Sequence, residues 1–127
     1  MRQIKFRGKR IDDGEWIYGF LADVQEQYGY ATINSSFDDE DGLKWETCDY
    51  VDVNTVGQFT GAFDGAGTEI YEGDLLFCDE YNPFPYKVYW SDSLCCFKAI
   101  ANNRNEIVLS KTYLYVGFRV IGNIHEK

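Results

Sequence analysis

The residues that most often form a nucleophile–base pair are scarce in this sequence. His125 is the sole histidine, and a Ser-His or Cys-His arrangement needs its imidazole beside the nucleophile. A histidine so near the end of the sequence is more typical of an ordinary strand end. Carboxylate pairs such as Glu72 with Asp74 are too common in an acidic chain to indicate glycosidase chemistry. We therefore expect no catalytic residue and no enzyme activity.

The four cysteines do not form a metal-binding pattern. They are Cys48, Cys78, Cys95 and Cys96, and none belongs to a C-x-x-C pair. A structural zinc site needs regularly spaced thiolate or imidazole ligands. The sequence therefore predicts reduced thiols and no bound metal.

The stretch Ser35 to Gly42 contains four consecutive acids, 38–41, which could in principle bind a cation. An EF-hand loop has glycine at its sixth position and acidic ligands at the first and twelfth. With Gly42 at the sixth position, Phe37 and Cys48 would fall at those two places, so the motif fails. Since adjacent like charges repel one another, we expect a mobile loop here.

The glycine-rich stretch from Thr55 to Phe77 could be a phosphate loop or a set of β-turns. It does not match G-x-G-x-x-G before a helix, and it has no lysine for a P-loop. Asp64 can initiate a turn through its side chain, and Asp74 can bond backbone N–H groups. The pattern favours the turns of a small SH3-like barrel, with no cofactor. The predicted turn residues are Gly61, Gly65, Gly67, Glu72, Gly73 and Asp74.

The sequence predicts mainly strands for the elements that would position these residues. Aromatic residues make up 17% of the chain, and they favour pleated sheets. In "EWIYGFLADV", Trp16, Tyr18 and Phe20 alternate with Ile17 and Leu21, so both faces could be covered. Further strands are predicted at 3–8, 28–34, 45–53, 86–90, 95–101 and 118–124, with a tight turn at 12–14. Residues 107–116 suit a helix or a strand equally, and "YNPFPY" (81–86) reads as a loop.

Length and charge limit the classes of protein. A chain of 127 residues predicts a single domain, with sub-lobes at 1–54 and 55–127. No apolar run nears the roughly 20 residues of a membrane span, and "MRQIKFRGKR" lacks the apolar core of a signal peptide. We therefore expect a cytoplasmic protein without a membrane role.

The formal charge of −9 is unevenly distributed. Residues 1–10 hold five basic groups and no acid, whereas residues 11–52 hold twelve acids and one base, Lys44. Such an acidic chain is a poor nonspecific binder of nucleic acid. The basic arm reads as a solvated edge strand.

Four segments, in order, resemble the YopX family of phages, prophages and bacterial mobile elements. They are "IKFRGKR" at 4–10, "GEWIYG" at 14–19, "TVGQFTG" with "EIYEGD" within 55–74, and "VIGNIHE" at 120–126. The acidic stretch 35–42 and the Cys95–Cys96 pair depart from the pattern. The resemblance implies a mostly β fold, a small antiparallel β lobe followed by an SH3-like barrel with little helix. It implies no established activity and supplies no catalytic residue.

Three functions are compatible with this sequence. The first is a phage or mobile-element accessory protein that binds an unidentified host or phage protein. The second is an acidic DNA mimic that inhibits a nucleic-acid enzyme. The third is direct nucleic-acid binding by the barrel. Self-association through sheet edges is also compatible. The aromatics expected to contact a partner, unless they pack in the core, are Phe63, Tyr71, Tyr81, Phe84 and Trp90.

Overall fold

The protein is built of β-strands, as predicted. The computed structural model describes residues 4–78, 82–101, 105–109, 114–115 and 117–126. In these residues the chain forms two short 3-10 helices, Glu26–Tyr28 and Val53–Thr55, and twelve strands. The chain divides into two compact units, which we call the N-terminal unit (Ile4–Gln58) and the C-terminal unit (Phe59–Lys127).

The strands follow the chain order. They are β1 (Phe6–Lys9), β2 (Trp16–Gln25), β3 (Tyr30–Asp38), β4 (Lys44–Asp52), β5 (Gly57–Asp64), β6 (Glu69–Tyr71), β7 (Asp74–Cys78), β8 (Asn82–Ser91), β9 (Cys96–Ala101), β10 (Asn105–Val108), β11 (Leu114–Tyr115) and β12 (Arg119–Asn123).

The strands of the N-terminal unit pair in the antiparallel order β1-β2-β3-β4, and β1 also pairs with the start of β5. The small core of this unit is formed by Ala31, Ile33 and Val51, each fully buried. Ile17 and Leu21 pack against this core, which confirms that they share one face of β2. A Cβ on Gly8 would lie 2.8 Å from a Val51 methyl, so the absent side chain lets β1 approach the core.

The first and last strands of this series, β1 and β4, approach each other. Arg10, just after β1, forms an isolated antiparallel bridge with Val51 of β4, and Ile11 N–H donates to the Tyr50 carbonyl at 3.0 Å. The predicted turn before β2 is confirmed, because Gly14 has φ 74° and its N–H donates to the Arg10 carbonyl. Hydrogen bonds to Arg10 lower the pKa of Asp13.

The prediction of a loop over Ser35–Gly42 was wrong for its first half. Residues up to Asp38 belong to β3, where Asp38 pairs with Lys44 of β4. The Asp39 carboxylate accepts hydrogen bonds from the N–H groups of Asp41 and Leu43, both at 2.9 Å. This carboxylate orders the turn, so the run of acids closes a hairpin.

The C-terminal unit contains an antiparallel sheet in the order β10-β9-β8-β7-β12. β5 and β6 form a hairpin, and β11 runs parallel to the end of β5. The core includes Ile70, Leu76, Tyr86, Val88 and Phe97. In the described ranges the end strands β10 and β12 do not pair with each other. The segment predicted to be an SH3-like barrel is therefore an open sheet with an adjoining hairpin, within the mainly β fold that the sequence predicted.

Two ambiguous segments of the C-terminal unit are strands. Residues 105–108 and 114–115 form β10 and β11, so the strand alternative for 107–116 is confirmed over the described residues. The predicted loop at 81–86 was wrong from Asn82 onward, since β8 begins there and includes Pro83 and Pro85. Its register with β7 shifts at this point, and such irregularities tolerate residues without an N–H.

Candidate binding surface

The predicted turn after β5 is organised by Asp64. This residue is 2% exposed, and its carboxylate accepts from the N–H groups of Ala66, Thr68 and Val120 at 2.8–2.9 Å. Gly67 takes φ 85° in this turn, and Gly65 N–H donates to the Phe118 carbonyl. Each of these contacts joins two parts of the fold. The residue types of this turn are therefore explained by folding, without a ligand.

The Glu72–Gly73–Asp74 segment connects β6 to β7. Gly73 takes φ 93°, its N–H donates to the Val88 carbonyl, and its carbonyl accepts from Ile124 N–H, both at 2.9 Å. The buried Asp74 carboxylate accepts from Tyr71 N–H at 2.7 Å. The turn role predicted for Gly61 was wrong, because this residue lies within β5, where it has a φ of 86°. The backbone roles predicted for Gly73 and Asp74 are confirmed.

The predicted partner-binding aromatics are not gathered at one place. Tyr71 is 2% exposed and packs against Phe59, so its expected exposure is corrected to core packing. Half-buried Phe63 contacts the same Phe59 ring. Tyr81 lies outside the described residues.

Two of these predicted aromatics remain exposed, both on β8. Phe84 is 50% and Trp90 39% exposed, and Trp90 also contacts Phe97 at 4.9 Å between ring centroids. The two residues are six positions apart along the strand, which corresponds to about 20 Å. Phe84 and Trp90 are therefore too far apart to form one apolar patch.

Three further exposed aromatics share one sheet face in the N-terminal unit. Tyr18, Phe20 and Tyr50 are 45%, 67% and 56% exposed. Phe20 is in register with Asn34, and Asn34 with Cys48, so Phe20 shares a sheet face with Cys48 and therefore with Tyr50. We call this side of β2–β4 the aromatic face. The alternation of Tyr18 and Phe20 in the sequence indicated their shared face, but the pattern did not show that it is open.

The backbone under this face is tightly constrained. An added Cβ on Gly19 would lie 2.2 Å from the Asn34 carbonyl oxygen, so β2 and β3 approach closely there. The Ser35 hydroxyl donates to the Tyr18 carbonyl at 2.6 Å. The two aromatics on either side of Gly19 are thus held by a fixed strand pairing.

An open cleft of about 590 Å³ adjoins Phe20. Its walls combine an aromatic ring and a methyl group with amide, hydroxyl, carboxylate and thiol groups. The lining residues are Phe20, Ala22, Asn34, Ser35, Ser36, Glu46, Thr47 and Cys48. A mixture of apolar area and a few polar groups suits recognition of a peptide-like chain.

β4 presents a free edge beside this cleft. In the described part of the chain it is the last strand of the sheet, apart from the bridge at Val51. The Tyr50 carbonyl points away from β3, since it accepts from Ile11. Alternate residues of a strand direct their backbone groups to the same side, so those of Cys48 and Glu46 also point outward. We call Lys44–Asp49 the open edge.

The surroundings of the open edge are acidic. Asp38 ends β3, the turn beside the open edge carries Asp39, Glu40 and Asp41, and Glu46 lines the cleft. Hydrogen bonds, chiefly from the Trp45 indole at 2.7 Å and also from Leu43 N–H, lower the pKa of Asp39. The Asp39 carboxylate therefore stays negatively charged at pH values low enough to protonate an ordinary aspartate. Lys44 is the single base of the β3–β4 hairpin.

Within the described residues, no three His, Cys, Asp or Glu side chains are grouped closely enough to hold a metal ion. Over the same residues, no helix has the length and apolar character needed to cross a membrane.

The comparisons with known proteins support the fold. The sequence matches the protein-family profile described as "YopX protein" over residues 5–127. No curated protein matches it. The crystal structure of protein EF1440 from Enterococcus faecalis is similar, with a TM-score of 0.57 and 19% sequence identity. The match covers 99% of this chain and 96% of that chain, so the likeness extends over the whole fold.

Proposed function

Because the chain belongs to the YopX family, we propose that it is a non-catalytic accessory protein of a phage or mobile element, which binds a protein partner through the aromatic face. The observation that carries this proposal is the exposure of Tyr18, Phe20 and Tyr50 on one side of a single sheet. Partner-binding surfaces are enriched in such aromatic residues, and a few of them supply most of the binding energy.

The rigid support of the aromatic face favours binding. The close approach at Gly19 and the Ser35 hydrogen bond hold Tyr18 and Phe20 in one strand register. A surface that is already ordered loses less conformational entropy on binding than a mobile loop does. The face can therefore convert buried aromatic area into affinity efficiently.

The charge around the face favours a protein partner over nucleic acid. Glu46 lines the cleft, and Asp38 with the three acids of the adjacent turn lies just before β4. Phosphates would be repelled there, whereas a basic protein surface would be attracted. The nucleic-acid alternative therefore has less support than a protein partner.

The test is affinity capture from bacterial lysate, with and without nuclease, using the full chain. The variant Phe20→Ser/Tyr50→Ser should capture at least about tenfold less partner than wild type, because it removes two exposed aromatic anchors. Ile121→Ser, exposed in the C-terminal unit at 58%, is the matched control and should capture normally. Phe84→Ser/Trp90→Ser tests the residues that the sequence predicted.

The result can also contradict the proposal. Equal capture by wild type and Phe20→Ser/Tyr50→Ser would reject the aromatic face as the binding surface. Loss of capture on nuclease treatment would favour nucleic-acid binding instead.

The acidic-mimic alternative has one supporting observation, the ordered turn around Asp39. Because Asp39 holds the turn, it should be kept while Asp38, Glu40 and Asp41 are changed to Asn or Gln. Charge steering predicts an association rate that falls in this variant at low salt and converges with wild type at high salt. An unchanged rate at low salt would exclude the mimic.

A further inference from the structure

We infer that the partner contributes an extended segment with basic side chains, which adds as a strand to the open edge Lys44–Asp49. This inference rests on the proposed function and specifies its partner. An exposed sheet edge offers unpaired backbone groups, and peptide segments bind to such edges by continuing the sheet.

The geometry of β4 defines which backbone groups would pair. Tyr50 already uses its outward carbonyl for Ile11, so pairing can begin only before that point. The outward groups of Cys48 and Glu46 are the next two in the same direction. Among described residues, these groups have no backbone partner in another strand or turn.

The side chains of an added strand would extend the aromatic face. Phe20, Asn34 and Cys48 form one cross-strand row, and a residue opposite Cys48 would become its fourth member. Neighbouring side chains in such rows contact each other. An added strand would therefore border the cleft on its β4 side, next to Glu46 and Cys48.

Charge determines the chemistry of the segment. Glu46 lies within the open edge and the turn acids lie at its Lys44 end, whereas Asp49 at the other end is paired with Arg10 at 3.2 Å. Lys44 is the single base of the hairpin. A second copy of this chain would bring two sets of these acids together, and like charges opposite each other destabilise strand pairing. A basic segment instead gains Coulomb attraction along the same edge.

The test uses the full chain labelled with ¹⁵N and a hexapeptide that alternates lysine and valine. We expect amide hydrogen exchange of Glu46 and Cys48 to slow by at least about tenfold in saturating peptide, since both N–H groups gain partners. Thr47 is an internal control because its N–H faces β3. A glutamate–valine peptide and a lysine–valine peptide N-methylated at alternate residues should both fail to slow exchange.

Other outcomes overturn the inference. They are no binding at millimolar lysine–valine peptide, equal protection by the glutamate peptide, or binding without slower exchange at Glu46 and Cys48. Each can occur while capture through Phe20 and Tyr50 persists, so failure here is distinguishable from failure of the proposed function.

A variant gives an independent readout. Cys48→Pro removes an outward N–H without removing a bond to β3, and edge strands tolerate proline. It should reduce partner capture while retaining a native-like spectrum. Equal capture by a folded Cys48→Pro chain would overturn the inference. If this variant fails to fold, the N-methylated peptide tests the same hydrogen bonds from the other side.

Discussion

The carboxylate of Asp64 accepts a hydrogen bond from the backbone N–H of Val120 at 2.9 Å, across 56 residues of sequence. The same carboxylate also holds the turn that follows β5. One buried side chain therefore joins a local hairpin to a distant strand of the C-terminal unit.

Asp64→Ala should destabilise the protein by about 2–4 kcal/mol, because three backbone N–H groups lose their charged acceptor, a buried carboxylate. Asp64→Asn retains one acceptor oxygen and should cost less. Urea unfolding followed by circular dichroism measures both. Asp92→Ala, at an exposed turn position, is the control. Equal midpoints for Asp64→Ala and Asp92→Ala would contradict the role of Asp64.

The β3–β4 turn should lose order in acid. The pKa of Asp39 is lowered from its ordinary 3.8, chiefly by the Trp45 indole. A carboxylate with a lowered folded-state pKa contributes stability above 3.8, and this contribution is lost as pH falls through the folded value. The Trp45 indole N–H resonance should therefore shift with a midpoint below pH 3.8.

The control for this titration is Asp39→Asn, which cannot ionise. It should abolish the pH-dependent shift of the Trp45 resonance, and Trp45→Phe identifies that resonance among the three tryptophans. A midpoint at or above 3.8, or a shift that persists in Asp39→Asn, would refute the assignment.

Gly19→Ala should be far more disruptive than Gly42→Ala. The new Cβ at Gly19 would lie 2.2 Å from a backbone oxygen of β3, and such overpacking costs about 1–3 kcal/mol. Gly42 has φ 80° with open space around it, so alanine there adds only the left-handed penalty of about 1 kcal/mol. Thermal unfolding compares the two, and a larger loss for Gly42→Ala would contradict this account.

Cys95→Gly should stabilise the protein by about 0.5–1 kcal/mol. Cys95 takes φ 52°, a conformation that costs an L-residue about 1–2 kcal/mol, part of which glycine loses through its own entropy. Cys48→Gly, in an extended strand, is the opposite control and should destabilise. Denaturant midpoints under reducing conditions measure both, and destabilisation by Cys95→Gly would show that the turn does not strain Cys95.

Local chemistry made some features predictable from sequence. Asp64, Gly73 and Asp74 have turn roles that follow from residue type. The shared face of Ile17 and Leu21 follows from alternation.

Other features depend on distant pairing. Tyr71 lies in the core, where it packs against Phe59. Phe20 is exposed because no described strand covers β2 on that side. The run of acids at 38–41 predicts a loop for the whole stretch 35–42, whereas pairing with β4 decides the conformation of residues 35–38. The open sheet of the C-terminal unit likewise depends on which strands meet, which a single sequence does not state.

The position of β12 affects how the protein folds during synthesis. This strand pairs with β7 and supplies the N–H of Val120 to Asp64, yet in chain order it follows the other eleven described strands. Until β12 has been translated, the nascent chain presents β7 with one unpaired side and Asp64 without one of its donors. Completion of the C-terminal unit must therefore follow translation of Asn123, whereas the N-terminal unit can fold once Gln58 has emerged.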